Sequence, residues 1–444
     1  MIQFWTNGYS QDKNFSKILE GEFDVHPANR ALFNSAIASF NSNIYVAFIN
    51  PNLKTVVAKK NNGVWTSSIV ATITQPDTWH NAPSMAVDSE GYIHMVYNMH
   101  STPWQYSVSK YPKDISEWEF RGQYAGTNPG KGVPTRSGCE GDCKKNWMGE
   151  GIADIPGNQI TYSFIVPDRK GILYISYREC YNCRKSDYFS REWSGGIAKY
   201  DVITKSWQRV GGVRPFAHDE KYVPASGGMY MFFDINNRMH VSWVWGQHYT
   251  AKNGSKSSFY NPNFPTYAYS DDGGENFYRV DGTHLNLPIN LEQSDVIIDP
   301  NWINPNDDGY FYSYTNVAAM PDGTPYVFIW PRTTSSGVNR AWLKYVPDSG
   351  WTEPALMPWA ATKLLIDSQG VMTAISSGTR VHRSKDGGRT WRTYEIDLSD
   401  GPQIPVPDYS YFYATDNIRF LTTSNRSSNN LIKIWTIEFS DNEE

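Results

Sequence analysis

Charge and cysteine are both scarce in this chain. Of its 444 residues 19% are Asp, Glu, Lys or Arg, only four are Cys, and 40 basic against 45 acidic side chains leave a net charge of −5. No dense run of Lys or Arg occurs, so the electrostatic footprint of a nucleic-acid binder is missing. No stretch of about 18 consecutive apolar residues occurs either, which argues against a membrane-spanning helix. The opening MIQFWTNGYSQDKNF has neither the basic nor the apolar region of a signal peptide, so an exported protein would have its leader missing here or already removed. Long amphipathic helical patterns are absent too. What is plentiful is aromatic side chain: 17 Trp, 29 Tyr and 20 Phe, within a hydrophobic fraction of 40%. That supplies a large core and leaves too little charge for disorder.

The apolar residues recur at period two in short runs bounded by Gly, Asn, Asp and Pro, the pattern of strand, turn and strand. One unit repeats: an apolar run, a turn built on Asp or Asn and Gly, and a second apolar run. Its seven copies are ASFNSNIYVAF (38–48), MAVDSEGYIHMVY (85–97), FIVPDRKGILYISY (164–177), MFFDINNRMHVSW (231–243), AAMPDGTPYVFIW (318–330), LLIDSQGVMTAIS (364–376) and FYATDNIRFLTTS (412–424). Most are followed by another turn and one or two further strands ending near a Trp. A lone sheet of this size leaves a face uncovered until neighbours stack on it, so the repeats predict blades around an axis. The expectation is one all-β domain over 1–444, a seven-bladed β-propeller with blades near 34–75, 80–122, 158–212, 224–284, 310–356, 360–398 and 406–440. Two hairpins, SDDGGENF (270–277) and SKDGGRTW (384–391), resemble the Asp boxes of sialidase-type propellers. They are read as turn staples, which mark a fold and not a chemistry.

Two adjacent repeats carry polar residues at matching places. In HNAPSMAVDSEGYIHMVYNMH, His80 precedes the first apolar run and His100 follows the second; in TYSFIVPDRKGILYISYR, Tyr162 and Arg178 occupy nearly the same two positions. Both pairs therefore fall at corresponding ends of neighbouring blades, where they can open onto one rim. His94, inside the second strand of its repeat, reads instead as a packed or hydrogen-bonded residue. Asn81, beside His80, is a candidate donor to a carboxylate or a turn cap. His248, after HVSWVWGQ, is a weaker candidate at the same rim.

These segments resemble the propeller ulvan lyases and their relatives, the BNR-4 repeat proteins, over about 76–210, through HNAPSMAVD…GYIHMVYNMH and TYSF…GILYISYR. The chain is also similar to propellers that act on rhamnosyl-glucuronate. Two departures stand out: ECYNCRKSDY follows Arg178 where a Gly- and Ser-rich turn is usual, and Gly246 stands where a further Arg is expected. Substrate subsites are therefore expected to differ. The resemblance implies His80, His100, Tyr162 and Arg178 as the catalytic set. A lyase of this kind removes the C5 proton of a uronic acid and expels the 4-O-linked sugar, which needs a cation on the carboxylate, a base at C5 and an acid at the leaving oxygen. Arg178 suits the first role through its planar fork. Tyr162 or neutral His80 can take the proton, and His100 or Tyr162 can return one. No metal or organic cofactor is expected in the chemical step.

The cysteines form two close pairs, Cys139 with Cys143 and Cys180 with Cys183. The spacing matches a four-thiolate structural zinc site, with two disulfides as the competing reading. Among the tryptophans near the proposed rim, Trp104, Trp147, Trp193 and Trp245 offer flat faces for sugar rings, with Trp104 and Trp245 taken as substrate-binding candidates. Lys144, Lys145, Arg184, Lys185 and Arg191 make a local basic cluster that suits an anionic polymer or is plain surface charge. The leading expectation is a secreted or surface-acting polysaccharide lyase on a uronate-containing, ulvan-like glycan. A rhamnosidase on the same scaffold and a non-catalytic glycan-binding propeller are the rivals. The expected partner is an anionic polysaccharide, with no nucleic acid or membrane, and the sequence leaves the oligomeric state open.

Overall fold

The computed structural model describes residues 15–29, 35–73, 80, 82–122, 154–157, 159–181, 192–213, 215–217, 221–224, 228–250, 256–298, 314–330, 332–333, 337–338, 340–357, 361–376, 380–396, 404–423 and 430–439. Strands dominate them, with one short α-helix, Tyr409–Thr415, and two single 3-10 turns, Pro27–Asn29 and Val210–Gly212. Six of the seven repeated apolar-turn-apolar units are antiparallel hairpins, among them Ser84–Val87 with Ile93–Val96, Thr161–Pro167 with Leu173–Tyr181, and Ala361–Ile366 with Met372–Ser376. The seventh, 412–424, differs from the expectation: its first run forms the end of the helix and its second the strand Ile418–Thr423, which pairs with Ile404–Pro407. Its turn has a repeated cause. The Oδ1 of Asp88 accepts from the amides of Glu90 (3.0 Å) and Tyr92 (2.8 Å), and Asp168, Asp234 and Asp367 bond the amides two and four residues on in the same way. Gly91 and Gly171 then take φ of 95° and 80°, which a side chain would strain.

The first strands of successive sheets lie side by side around the axis. Ser35 Oγ and Ser84 Oγ are 2.7 Å apart, Ile165 N donates to Ser84 Oγ (3.1 Å), and Leu364 N donates to Asn316 Oδ1 (2.9 Å). Such strands are covered on both faces, which is why Ser84–Val87 and Ala361–Ile366 are buried throughout. The ring closes through the chain ends, where Phe15–Asp24 pairs antiparallel with Leu431–Phe439 from Phe15–Phe439 to Asp24–Leu431. Both Asp boxes are turn staples: Ser270 Oγ and Ser384 Oγ each donate to the Asp two residues on and accept from Gly274 N and Gly388 N, all at 2.8 Å.

The blade count needs correction. Among the described residues six sheets follow a path of four strands, so the regular blades number six and not seven. The segment expected as the fourth blade belongs instead to a seven-stranded sheet. Its strands Met239–Thr250 and Lys256–Ser270, of 12 and 15 residues, outrun the others. On these long strands Tyr222–Val223 and Asp295–Val296 find extra edges to pair with. The Asn and Pro residues of SSFYNPNFPTY (257–267) read as turn signals, but the long pairing absorbs them through register shifts near Gly246 and Gln247.

Buried histidines tie the sheets internally. His94 lies 3.1 Å from Asp88 and 2.7 Å from the Tyr106 hydroxyl, and His240 repeats the arrangement with Asp234 and Tyr267. His382 sits between Ser376 Oγ (2.5 Å) and Thr393 Oγ1 (2.9 Å), and burial, with Arg380 adding repulsion, pulls it down from 6.5 to about 4. Between those two values the unfolded chain binds the proton and the folded chain does not, so stability is full above the upper value and falls as the pH drops toward the lower one. Burial pulls His94 and His240 down as well, adding to the slope. Urea midpoints are expected to fall from neutral pH to mildly acidic pH, and less steeply in His382→Gln. An equal slope in that variant would remove His382 from this account.

Candidate active site

The end of the ring opposite the Asp turns carries the site. His80 precedes Ser84–Val87 and His100 follows Ile93–Val96, so the hairpin brings both to one end of the second sheet. Their rings stack at 3.6 Å between centroids and 9° between planes. In the third sheet Thr161 pairs with Arg178, which places Tyr162 and Arg178 at the same end.

Tyr162 sits where the ladder of Thr161–Pro167 breaks register, between Thr161 and Phe164, and its φ is 55°. A left-handed conformation at a bulky residue is costly, and a bulge of this kind re-aims a side chain. Here it turns the phenol toward the second sheet: His80 Nε2 lies 3.0 Å from the Tyr162 hydroxyl. The connection carrying His100 is tied to the same strand, with Ser101 N donating to Thr161 Oγ1 (2.8 Å) and a bridge joining Thr102 to Ile160.

Arg178 is held between two rings, its guanidinium carbon 4.6 Å from the Tyr162 centroid and 4.5 Å from that of Trp193. Rings on both faces fix the plane of the guanidinium and so the directions of its N–H groups. Trp193 reaches this place because Glu192–Asp201 pairs with Leu173–Tyr181, with Gly195 opposite Arg178 and Gly196 opposite Tyr177. A Cβ on Gly196 would stand 2.1 Å from the Tyr177 ring, so that packing requires glycine. Behind the site, buried Glu179 accepts both Nη1 (2.9 Å) and Nη2 (3.0 Å) of Arg209. The carboxylate next to Arg178 in sequence is thereby committed elsewhere. Exposure falls from His100, which is open, through half-buried His80 to Tyr162 and Arg178, which are buried at 8% and 5%.

The structure thus gathers His80, His100, Tyr162 and Arg178. The tryptophan candidates require correction. Trp104 is fully buried, edge-on to Tyr177, and Trp245 is fully buried with its indole N–H on Ser294 Oγ (3.0 Å), so neither offers a face to a sugar. Trp245 lies on a strand covered on both sides, where both alternate rows of side chains are buried and sequence alternation gives no warning of it, and Trp104 lies in the connection before Tyr106–Ser109, packed against Tyr177. Trp193 backs Arg178, a role that its pairing partner and not its spacing reveals. Asn81, Trp147, the basic cluster and Cys139, Cys143 and Cys183 lie outside the described residues, as does the side chain of His248. Cys180 is buried and disulfide-bonded. Among the described residues no group of three or more His, Cys, Asp or Glu is placed to hold a metal ion, and no helix is long and apolar enough to cross a membrane.

Fold and site together define a β-propeller of BNR-type repeats with a cluster of imidazole, phenol and guanidinium groups on one face. The chain belongs to the BNR repeat-containing family, whose model matches residues 43–359. No curated protein matches the sequence. Among solved structures it is similar to the polysaccharide lyase Uly1, at 12% identity over 95% of this chain and 100% of that one, with a TM-score of 0.65. It is similar also to a PL25 ulvan lyase bound to -[GlcA(1-4)Rha3S]-, at 14% identity over 94% and 95% of the two chains, with a TM-score of 0.63. At these identities the likeness is one of fold.

Proposed function

We propose that this protein is a polysaccharide lyase that cuts a uronate-containing glycan by β-elimination outside the cell or at its surface, with ulvan-type sulfated rhamnose and uronate polymers as the first candidates. The observation that carries the reading is the 3.0 Å contact between His80 and Tyr162 beside a guanidinium 4.6 Å from the same phenol ring. Arg178 pairs with the uronate carboxylate and draws charge from C5. The Tyr162 and His80 pair takes the C5 proton; the electrons form the C4–C5 double bond, the C4–O bond breaks, and the departing oxygen receives a proton from the same cluster. Exposed His100, stacked on His80, connects the pair to solvent. Most glycoside hydrolases use two carboxylates across the bond, and among the described residues the carboxylate adjoining Arg178 is paired with Arg209. The fold shared with Uly1 and the PL25 ulvan lyase supports the same reading. The test is release of an unsaturated uronate, followed by its near-ultraviolet absorbance, from a panel of uronate polysaccharides.

For the cysteines we propose two disulfides in preference to zinc, since the bond at Cys180 leaves no thiolate there. Reduction is then expected to remove about 2–5 kcal/mol of stability, read as a lower melting temperature, with chelators without effect. One zinc per chain and a melting temperature sensitive to chelators would overturn this assignment.

A further inference from the structure

A cavity opens on the face that carries His100. It has a volume of about 320 Å³ and lies between the outer strand of the first sheet, Val64–Thr72, and the upper end of the second, lined by Tyr97, Asn98, Gln105, Trp118 and Phe120 together with small residues. Its position follows from the register. Thr72 pairs with Lys54, away from the Phe40–Asn43 turn, while Tyr97 follows directly on Val96, whose partner Ser84 lies toward His80.

One connection serves both places. Residues 97–105 carry His100 toward the third sheet, where Thr102 bridges Ile160, while the two ends of the same connection, Asn98 and Gln105, line the cavity. Its walls are fixed: the Trp118 indole donates to Ile115 O (3.0 Å), and the Tyr97 hydroxyl lies 2.8 Å from Ser107 Oγ. Asn98 holds a φ of 54°. No lining side chain carries a charge. Rigid aromatic surface with amides at its margin matches the C–H face and the hydroxyl rim of a pyranose, and the volume is at the small end of the roughly 300–1,000 Å³ usual for ligand clefts.

We propose that this cleft is a subsite for a sugar ring that carries neither carboxylate nor sulfate, such as an unsulfated non-uronate residue of the glycan, lying beyond the bond that is cut on the His100 side. The proposal rests on the lyase reading and adds to it a division of labour: the cationic site takes the uronate, and the neutral cleft takes the sugar without a carboxylate. Binding there makes the enzyme prefer long chains to the shortest cleavable fragment, since remote contacts contribute to kcat/KM.

Phe120→Ala removes one half-buried wall, and Asn98→Asp places a carboxylate in the neutral cleft while keeping a residue that tolerates the left-handed backbone. Uronate oligosaccharides of increasing length are titrated calorimetrically and assayed for cleavage with wild type and both variants, with melting temperatures as the check on folding. Each variant is expected to lower the ratio of kcat/KM for long over short substrates, and the matching ratio of affinities, about tenfold. Unchanged ratios in a folded variant overturn the subsite while the lyase reading stands. If wild type binds the oligosaccharides without cutting them, the lyase reading falls and the affinity ratios alone decide the subsite. Absence of any binding by wild type overturns both.

Discussion

Tyr162→Phe is expected to lower turnover on a cleavable uronate glycan at least about a hundredfold, the usual scale for loss of a positioned acid-base group. The substitution is selective. The ring that packs against Arg178 remains, the backbone strain at φ 55° remains, and only the hydroxyl 3.0 Å from His80 Nε2 is lost. The melting temperature and the affinity for oligosaccharide should therefore stay close to wild type while kcat falls, which separates lost chemistry from lost fold. Turnover within a factor of three of wild type would take Tyr162 out of the proton-transfer step.

Arg178→Lys is expected to cost about 10²–10³ in kcat/KM, comparable to removal of a preorganised donor from developing negative charge. Lysine keeps the charge but has no plane to lie between Tyr162 and Trp193, and it meets a carboxylate as a point instead of a fork. Because the pairing strengthens as charge moves onto the carboxylate, the loss should fall mainly on kcat. Arg178→Ala should be worse and should also lower the melting temperature, since it empties the space between the two rings. Steady-state kinetics on one defined oligosaccharide, with thermal melts of both variants, check this. A loss confined to KM would make Arg178 a substrate-binding residue with no part in acidifying C5.

Much of the fold was legible because it rests on local chemistry. The Asp turns are written into the sequence: one carboxylate oxygen satisfies two amides of its own turn at Asp88, Asp168, Asp234 and Asp367, so recurrence of the motif is recurrence of the hairpin. Convergence of the four polar residues was legible for the same reason, since similar offsets from Gly91 and Gly171, differing by two residues, become corresponding ends of adjacent sheets. What was not legible depends on long-range pairing. The seven-stranded sheet arises because Lys256–Ser270 continues through Asn and Pro that elsewhere end strands. Trp245 is buried because neighbouring sheets cover both faces of its strand, Trp104 because its connection packs against Tyr177, and Trp193 reaches Arg178 through a pairing that joins residues some distance apart in the chain. The bulge that turns Tyr162 toward His80 has no signature in TYSFIVP, where alternation predicts an unbroken strand. The neutral cleft has no mark in the sequence because its walls come from two sheets, and its aromatic residues look like ordinary core.

Ultraviolet-monitored digestion of ulvan and other uronate polysaccharides by the purified protein decides whether this cluster eliminates across the C4–C5 bond of a uronate. A rising near-ultraviolet absorbance is expected, with unsaturated oligosaccharides in the products and at most about a hundredth of that rate for Tyr162→Phe. New reducing ends without that absorbance, or no cleavage of any uronate polymer, would contradict it.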